Sequence, residues 1–101
     1  MSMDNQIKGT LGLCNRAGKI STGSTLIEDI RKNKVYFVII ASDASDNTKK
    51  KISDKCKFYN VEFIEKYHSE EISAAIGKNN RMAVGIMDKG FYAKIKKEMG
   101  R

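Results

Sequence analysis

Proline is absent from this chain, and cysteine and histidine nearly so, with two Cys and one His in 101 residues. Without proline nothing marks a rigid break. No internal repeat, low-complexity tract or linker divides the chain either, so residues 1–101 read as one domain, within the usual size range. Cys14 and Cys56 form no C-x-x-C pair and have no histidine cluster near them, so neither zinc nor any other cofactor is expected. A disulfide is not favoured in a reducing compartment. Both cysteines sit among apolar neighbours at helical spacing, which predicts buried, inert thiols. No apolar run approaches the roughly 20 residues that span a bilayer. The longest, Val35 to Ala41, has the length of a strand. The opening MSMDNQIKG lacks the charged-then-apolar layout of a secretory signal. The expectation is a cytoplasmic protein with no membrane partner.

Acidic residues are also in deficit. Nineteen Lys and Arg face twelve Asp and Glu, for a net charge of +7. Such an excess attracts polyanions, with nucleic acid the first candidate and anionic lipid the weaker one. Hydrophobic residues make up 41% and charged residues 31%, ordinary values for a soluble globular domain.

Along the chain, helix and strand signals alternate. Ile7, Leu11 and Cys14 recur at helical spacing, so residues 4–17 read as a first helix, stopped by Gly18. Gly9 and Gly12 within it suggest a close approach by a neighbour. Lys19-Ile20-Ser21 is a short strand candidate. Thr25-x-x-Glu28 fits a capping box that opens a second helix, ending near Asn33. Tyr36 to Ala41 is continuous, β-branched and aromatic, the pattern of a central strand buried on both faces. Ser45 or Asp46 caps a third helix whose inner stripe is Ile52, Cys56 and Tyr59. Val61-Glu62-Phe63-Ile64 is a second core strand, and Ser69 can cap a fourth helix carrying Ile72, Ala75 and Ile76. Gly77 to Arg81 is a polar loop, Met82 to Met87 a last strand, and Phe91, Ile95 and Met99 a final helical stripe. Alternation of this kind implies a mixed sheet of about four strands with helices on both faces, a three-layer α/β/α sandwich. Strand order stays open at this level.

Catalytic chemistry is hard to find. His68 precedes Ser69-Glu70-Glu71 at a predicted helix start, where a capping or surface histidine fits better than a general base. Neither cysteine has the local signature of a nucleophile. Gly18-x-x-x-x-Gly23 lacks the Lys-Ser/Thr of a phosphate loop. Asp43, Asp46 and Asp54 lie between a strand and a lysine-rich helix, the setting of caps and salt partners rather than of a metal set. An enzyme is not expected, nor a small-molecule substrate.

Basic residues offer more. Lys49, Lys50, Lys51, Lys55 and Lys57 cluster on the third helix, and Lys94, Lys96, Lys97 and Arg101 at the end of the chain. Either set can be a solvated helix face. A third set, Lys19, Arg31, Lys32 and Lys34 with Lys78 and Arg81, is more suggestive. If these regions meet, a helix start with Ser24 and Thr25 hydroxyls lies beside a basic loop whose Asn79 and Asn80 can read bases or sugars. Helix N-termini bind phosphate through free amide donors and the dipole.

Several segments then resemble one family. Leu11-Gly12-Leu13-Cys14-Asn15-Arg16-Ala17-Gly18-Lys19 is similar to the opening LGLAxRAxK of the bacterial YlxQ-like proteins. Ala41 to Lys51 looks like their strand-to-helix segment, Asp54-Lys55-Cys56 and Tyr59-Asn60-Val61 continue the match, and Ile76 to Phe91 resembles their C-terminal pattern. These proteins fall in the ribosomal-protein superfamily typified by L7Ae and L30e. The resemblance implies the same α/β/α sandwich and no catalysis. It also implies binding of structured RNA, especially kink-turns, as a monomer, in association with ribosomal or translation-related RNA or the ribosome. Carried over by position, the implied RNA site is Gly23, Ser24 and Thr25 with Lys78, Asn79, Asn80, Arg81 and Met82. Asp43 and Ala44 lie nearby, and Met82 packs a flipped-out nucleotide. Strong kink-turn binders carry G-x-N-E and then a helical lysine. Here Gly23 is followed by Ser24-Thr25-Leu26, and Glu28 or Asp29 stands near the lysine's place, where a carboxylate can accept from a guanine. The alternative is a protein-interaction module that docks on a ribosome or RNA-processing complex through the lysine-rich third helix.

Overall fold

The computed structural model describes residues 3–100. Helix α1 (Asn5–Arg16) is capped by Asp4, whose carboxylate accepts from the Gln6 N–H, and it buries Ile7, Leu11 and Cys14 as the spacing predicts. Gly12 lies against the helix that ends at Ala75, where a β-carbon would be 3.4 Å from the Ala75 carbonyl oxygen, whereas Gly9 has no such neighbour. Strand β1 (Ile20–Thr22) leads through a single 3-10 turn, Gly23–Thr25, into α2 (Leu26–Arg31).

This is not the expected capping box. Thr25 is already in the right-handed helical region, and its side chain makes no cap bond. Its hydroxyl donates back to the Thr22 carbonyl, and Glu28 pairs with Arg31 and Lys32 on its own helix instead of reaching back.

Strand β2 (Phe37–Ile40) is buried at every position. Helix α3 (Asp46–Phe58) starts on Ser45, whose Oγ accepts from the Thr48 N–H at 3.2 Å. Strand β3 (Glu62–Glu65) follows, then α4 (Ser69–Ala75), β4 (Ala83–Ile86) and α5 (Lys89–Glu98). The cap of α4 is His68, not Ser69. Nδ1 of His68 accepts from the Glu70 N–H at 3.3 Å, and Glu71 accepts from the His68 N–H. Ser69 is the first helical residue, and its N–H and hydroxyl both donate to Asp43, each at 2.7 Å.

The sheet runs β1-β4-β2-β3. Strand β2 pairs in parallel with β3 and antiparallel with β4, which pairs antiparallel with β1. Only β2 and β4 are central, and both are buried throughout. Strand β3 is therefore an edge rather than the core strand its apolar residues suggested. Val61 is buried but precedes it, and Phe63 and Ile64 are only partly covered. Helices α1, α4 and α5 pack together, as do α2 and α3, giving the three layers. Phe37, Ile39, Ile40, Val84 and Ile86 of the sheet meet Leu11, Ile30, Ile72 and Ile95 of the helices, all essentially inaccessible. Each such side chain contributes about 1.5–3 kcal/mol on burial.

Cys14 and Cys56 are buried free thiols. Burial pushes both up to about 11, so neither is a ready nucleophile at neutral pH. Among the described residues no helix is long and apolar enough to cross a membrane.

Candidate functional site

The pairing register decides which loops meet. Thr22 lies opposite Val84, and Ile40 opposite both Ala83 and Glu65. Strands β1, β2 and β3 thus end where β4 begins. One end of the sheet gathers the Gly23–Thr25 turn, the 41–45 segment, the 66–68 segment and the loop from Gly77 to Met82. Backbone bonds tie them together. The Ala41 N–H donates to the Met82 carbonyl at 2.7 Å, the Ser42 N–H to the Tyr67 carbonyl at 2.8 Å, and the Thr22 hydroxyl to the Ala83 carbonyl at 2.7 Å.

Between α2, α3 and the 77–82 loop lies an open cavity of about 250 Å³. Gly23, Leu26 and Ile27 line one side, Thr48, Lys51 and Ile52 another, and Asn80, Arg81, Met82 and Ala83 the third. It is smaller than the ~300–1,000 Å³ of sites for drug-sized ligands. Its lining combines apolar Leu26, Ile27, Ile52, Met82 and Ala83 with cationic Lys51 and Arg81.

Gly23 and Arg81 are fitted to each other. Gly23 has φ +66°, and a β-carbon there would overlap Nη1 of Arg81. The guanidinium therefore lies over the start of the 3-10 turn only because no side chain intervenes. The backbone of Arg81 is anchored separately, its N–H donating to the buried Ser73 hydroxyl at 2.8 Å. Its Nε is buried without a hydrogen-bond partner among the described residues. Buried donors of this kind are costly unless something accepts from them.

The loop straddles two hollows. Arg81 and Met82 face the first. Lys78 and Asn79 face a second, of about 230 Å³, lined also by Ser69, Glu70, Ser73 and Ala74, and Asn80 borders both. Asn80 holds φ +55°, a left-handed conformation that asparagine tolerates. Ser24 and Thr25 are exposed on the turn beside the first cavity.

Other expected site residues stand elsewhere. The Asp43 carboxylate is taken up by Ser69, and His68 Nε2 lies 3.3 Å from it. The Ser69 hydroxyl and N–H, with His68, hold its pKa below the usual aspartate value. Asp43 thus ties the β2–α3 turn to α4, as a helix-start partner rather than a free acceptor. Ala44 is buried beneath that turn. Lys19 is at the far end of β1, its carbonyl accepting from the Met87 N–H, and the three strand residues between it and Gly23 put them about 13 Å apart. Arg31 and Lys32 close α2 at its other end and share Glu28. The third basic set therefore divides: Lys78 and Arg81 border the hollows, while Lys19, Arg31, Lys32 and Lys34 do not. Arg101 lies outside the described residues.

The lysines of α3 divide as well. Lys50 pairs with Asp54 at 3.0 Å and Lys49 reaches Glu65 at 3.9 Å, while Lys51 lines the cavity. The sequence reading missed Lys51 and Thr48 as site residues. Helical phase could have found them, since Thr48 and buried Ile52 are one turn apart and Lys51 borders that stripe.

His68 contacts Asp43 and Glu70, and neither cysteine. No three His, Cys, Asp or Glu among the described residues could hold a metal ion.

Comparison with known proteins agrees with this fold. The chain is 48% identical over 87 residues to RNA-binding protein YlxQ of Enterococcus faecium, covering 85% of this chain and 84% of that one. It is 40% identical over 86 residues to RNA-binding protein YlxQ of Bacillus subtilis (strain 168), covering 84% and 86%. A Bacillus halodurans protein of unknown function superimposes with a TM-score of 0.89 at 31% identity, over 97% of this chain and all of that one. The Giardia lamblia 15.5kD RNA binding protein has the same fold, with a TM-score of 0.77 at 15% identity over 95% and 83% of the two chains. A family model matches residues 5–96. The chain belongs to the ribosomal protein L7Ae/L30e/S12e/Gadd45 family.

Proposed function

We propose that this protein binds structured RNA without catalysis, through the surface formed by Gly23–Thr25 and Lys78–Met82. The observation that carries the reading is the convergence of Gly23, Arg81 and Met82 on one open cavity with Lys51 at its rim. Sequence-specific RNA recognition usually takes up unstacked bases from loops and bulges. An apolar hollow for one ring, framed by Arg81, Lys51 and Asn80, matches such a base and its phosphates. Met82 supplies the apolar contact, and the Arg81 guanidinium supplies donors to a phosphate or a base edge.

The RNA class that suits this surface is a kink-turn or a similarly bent helix with an extruded nucleotide, in ribosomal or translation-related RNA. The site replaces the G-x-N-E helix opening of strong kink-turn binders with Gly23-Ser24-Thr25-Leu26, so Ser24 and Thr25 hydroxyls meet the groove. Glu28 is neutralised by Arg31 and Lys32 rather than left to repel phosphate. The split of the α3 lysines argues against that helix as a uniform protein-docking face.

Cross-linking tests the site. Ultraviolet irradiation of the complex with a kink-turn RNA, followed by peptide mapping, is expected to place adducts within residues 78–82 and 23–25. Adducts confined to the exposed face of α3 would favour the docking alternative.

A further inference from the structure

At the opposite end of the sheet, Tyr36 is 46% exposed although it directly precedes the most buried strand. Its N–H donates to the Ile86 carbonyl, which places it where β4 ends, a full strand length from the cavity. Its ring stacks on Tyr92 with centroids 6.1 Å apart and planes 20° from parallel. Tyr92 is itself fixed. Its hydroxyl donates to Glu62 Oε1 at 2.7 Å, its ring packs on Phe37, and Lys96 Nζ sits 5.1 Å from its centroid. Tyr36 is thus the outer member of a braced aromatic stack, held flat and half open to solvent.

Lysines lie on the segments that meet at this end of the sheet. Lys89, Tyr92 and Lys96 fall at i, i+3 and i+7 of α5, one face of the helix. Lys34 is exposed two residues before Tyr36, with buried Val35 between them. Lys19 arrives beside Met87 through its carbonyl. Lys19, Lys34 and Lys89 make no ion pair among the described residues. The nearby acids are occupied, Glu62 by Tyr92 and Lys96, and Asp88 by the Phe91 N–H at the start of α5.

A flat exposed ring flanked by unpaired lysines is complementary to an unpaired nucleic-acid strand, whose bases stack on the ring while its phosphates meet the cations. An acidic peptide would satisfy the lysines but not the ring. The geometry points to a second RNA-contacting surface, centred on Tyr36 with Lys34 and Lys89, that takes single-stranded RNA independently of the cavity at the other end. A chain with both surfaces can hold a folded RNA element at one end and a flanking strand at the other.

The test is fluorescence polarisation of the full chain with a labelled oligouridylate of about ten nucleotides, inside the ~4–16 nucleotide range of single-strand sites. Tyr36→Ala is expected to weaken binding by about tenfold, from the loss of one stacked base. Tyr36→Phe, which keeps the ring, is expected to stay within about twofold, and Lys34→Gln with Lys89→Gln to weaken binding and flatten its salt dependence. Arg81→Ala should weaken this binding clearly less than Tyr36→Ala. The proposal fails if the wild-type chain does not bind the oligonucleotide, or if Tyr36→Ala, shown folded by circular dichroism, binds as tightly as wild type. It fails equally if Arg81→Ala costs as much as Tyr36→Ala, or if a polyglutamate peptide competes equally with wild type and Tyr36→Ala. Failure of the wild-type chain to bind a kink-turn RNA, with oligouridylate binding intact, would count against the cavity reading alone.

Discussion

The guanidinium of Arg81 occupies the space in which a side chain at position 23 would begin, and Gly23 holds a φ of +66° that other residues rarely adopt. A turn after β1 and a loop before β4, about sixty residues apart in sequence, are thereby fitted together at one point. Gly23→Ala is expected to do two things. It destabilises the fold by about 1–2 kcal/mol, from left-handed backbone strain on an L-residue. It also pushes Arg81 off the turn and weakens RNA binding. Urea denaturation measures the first effect and a binding titration the second.

Arg81→Ala and Lys78→Ala separate binding from folding. The Arg81 backbone N–H keeps its bond to Ser73 in the alanine variant, so stability should change by no more than about 0.5 kcal/mol. Affinity for structured RNA should fall by roughly ten- to a hundredfold for Arg81→Ala, the loss of charge-assisted bonds worth about 1.5–3 kcal/mol. Lys78→Ala should cost less and reduce the slope of log affinity against log salt by about one contact. Unchanged affinity in both variants would remove this loop from the site.

Gly85 sets how closely α2 packs on the sheet. A β-carbon there would lie 2.8 Å from Leu26 Cδ1 and 2.9 Å from Val35 Cγ1. Gly85→Ala should therefore cost about 1–3 kcal/mol through overpacking, read as a lower urea midpoint. Because Leu26 also lines the cavity, the same variant should weaken RNA binding.

Asp43 predicts an acid limb of stability. The Ser69 hydroxyl and N–H, and after them His68, depress its native pKa. A group with a lowered native pKa contributes stability that is fully present above the unfolded value, about 3.9, and is lost as pH falls through the native one. In pH-dependent thermal melts, Asp43→Asn should lie below wild type at pH 7 and converge with it in strong acid. A constant gap at every pH would show that the carboxylate charge is not what holds α4 to the turn.

Much of the fold is legible in the sequence because its signals are local. The buried run Phe37 to Ala41, the Ile52–Cys56 stripe and the Ser45 cap are set by neighbours within one turn or one strand, whereas Tyr36, read as part of that run, is 46% exposed. The errors come where a non-local partner wins. Thr25 and Glu28 have capping-box spacing, but Glu28 has Arg31 and Lys32 closer at hand, and the Gly23 turn makes Thr25 helical too early. Ser69 has the chemistry of a cap, but Asp43, 26 residues away, claims it. Val61 to Ile64 looks like core, but strand order is a long-range property, and it leaves β3 on the edge. In the candidate site, family likeness pointed to the Gly23 turn and the 78–82 loop, and the structure brings Gly23 together with Asn80, Arg81 and Met82. It did not reveal Lys51, one of five similar lysines on α3, nor that Lys19, Arg31 and Lys32 stand at the far ends of their elements.

The central claim is recognition of bent, structured RNA by the Gly23–Arg81 surface. Its most direct test is a titration of the chain against a kink-turn RNA and a matched duplex lacking the kink, each at two salt concentrations. The account predicts tighter binding to the kinked RNA, with a preference that persists at the higher salt. Equal binding to both RNAs, lost steeply with salt in the manner of phosphate contacts alone, would contradict it.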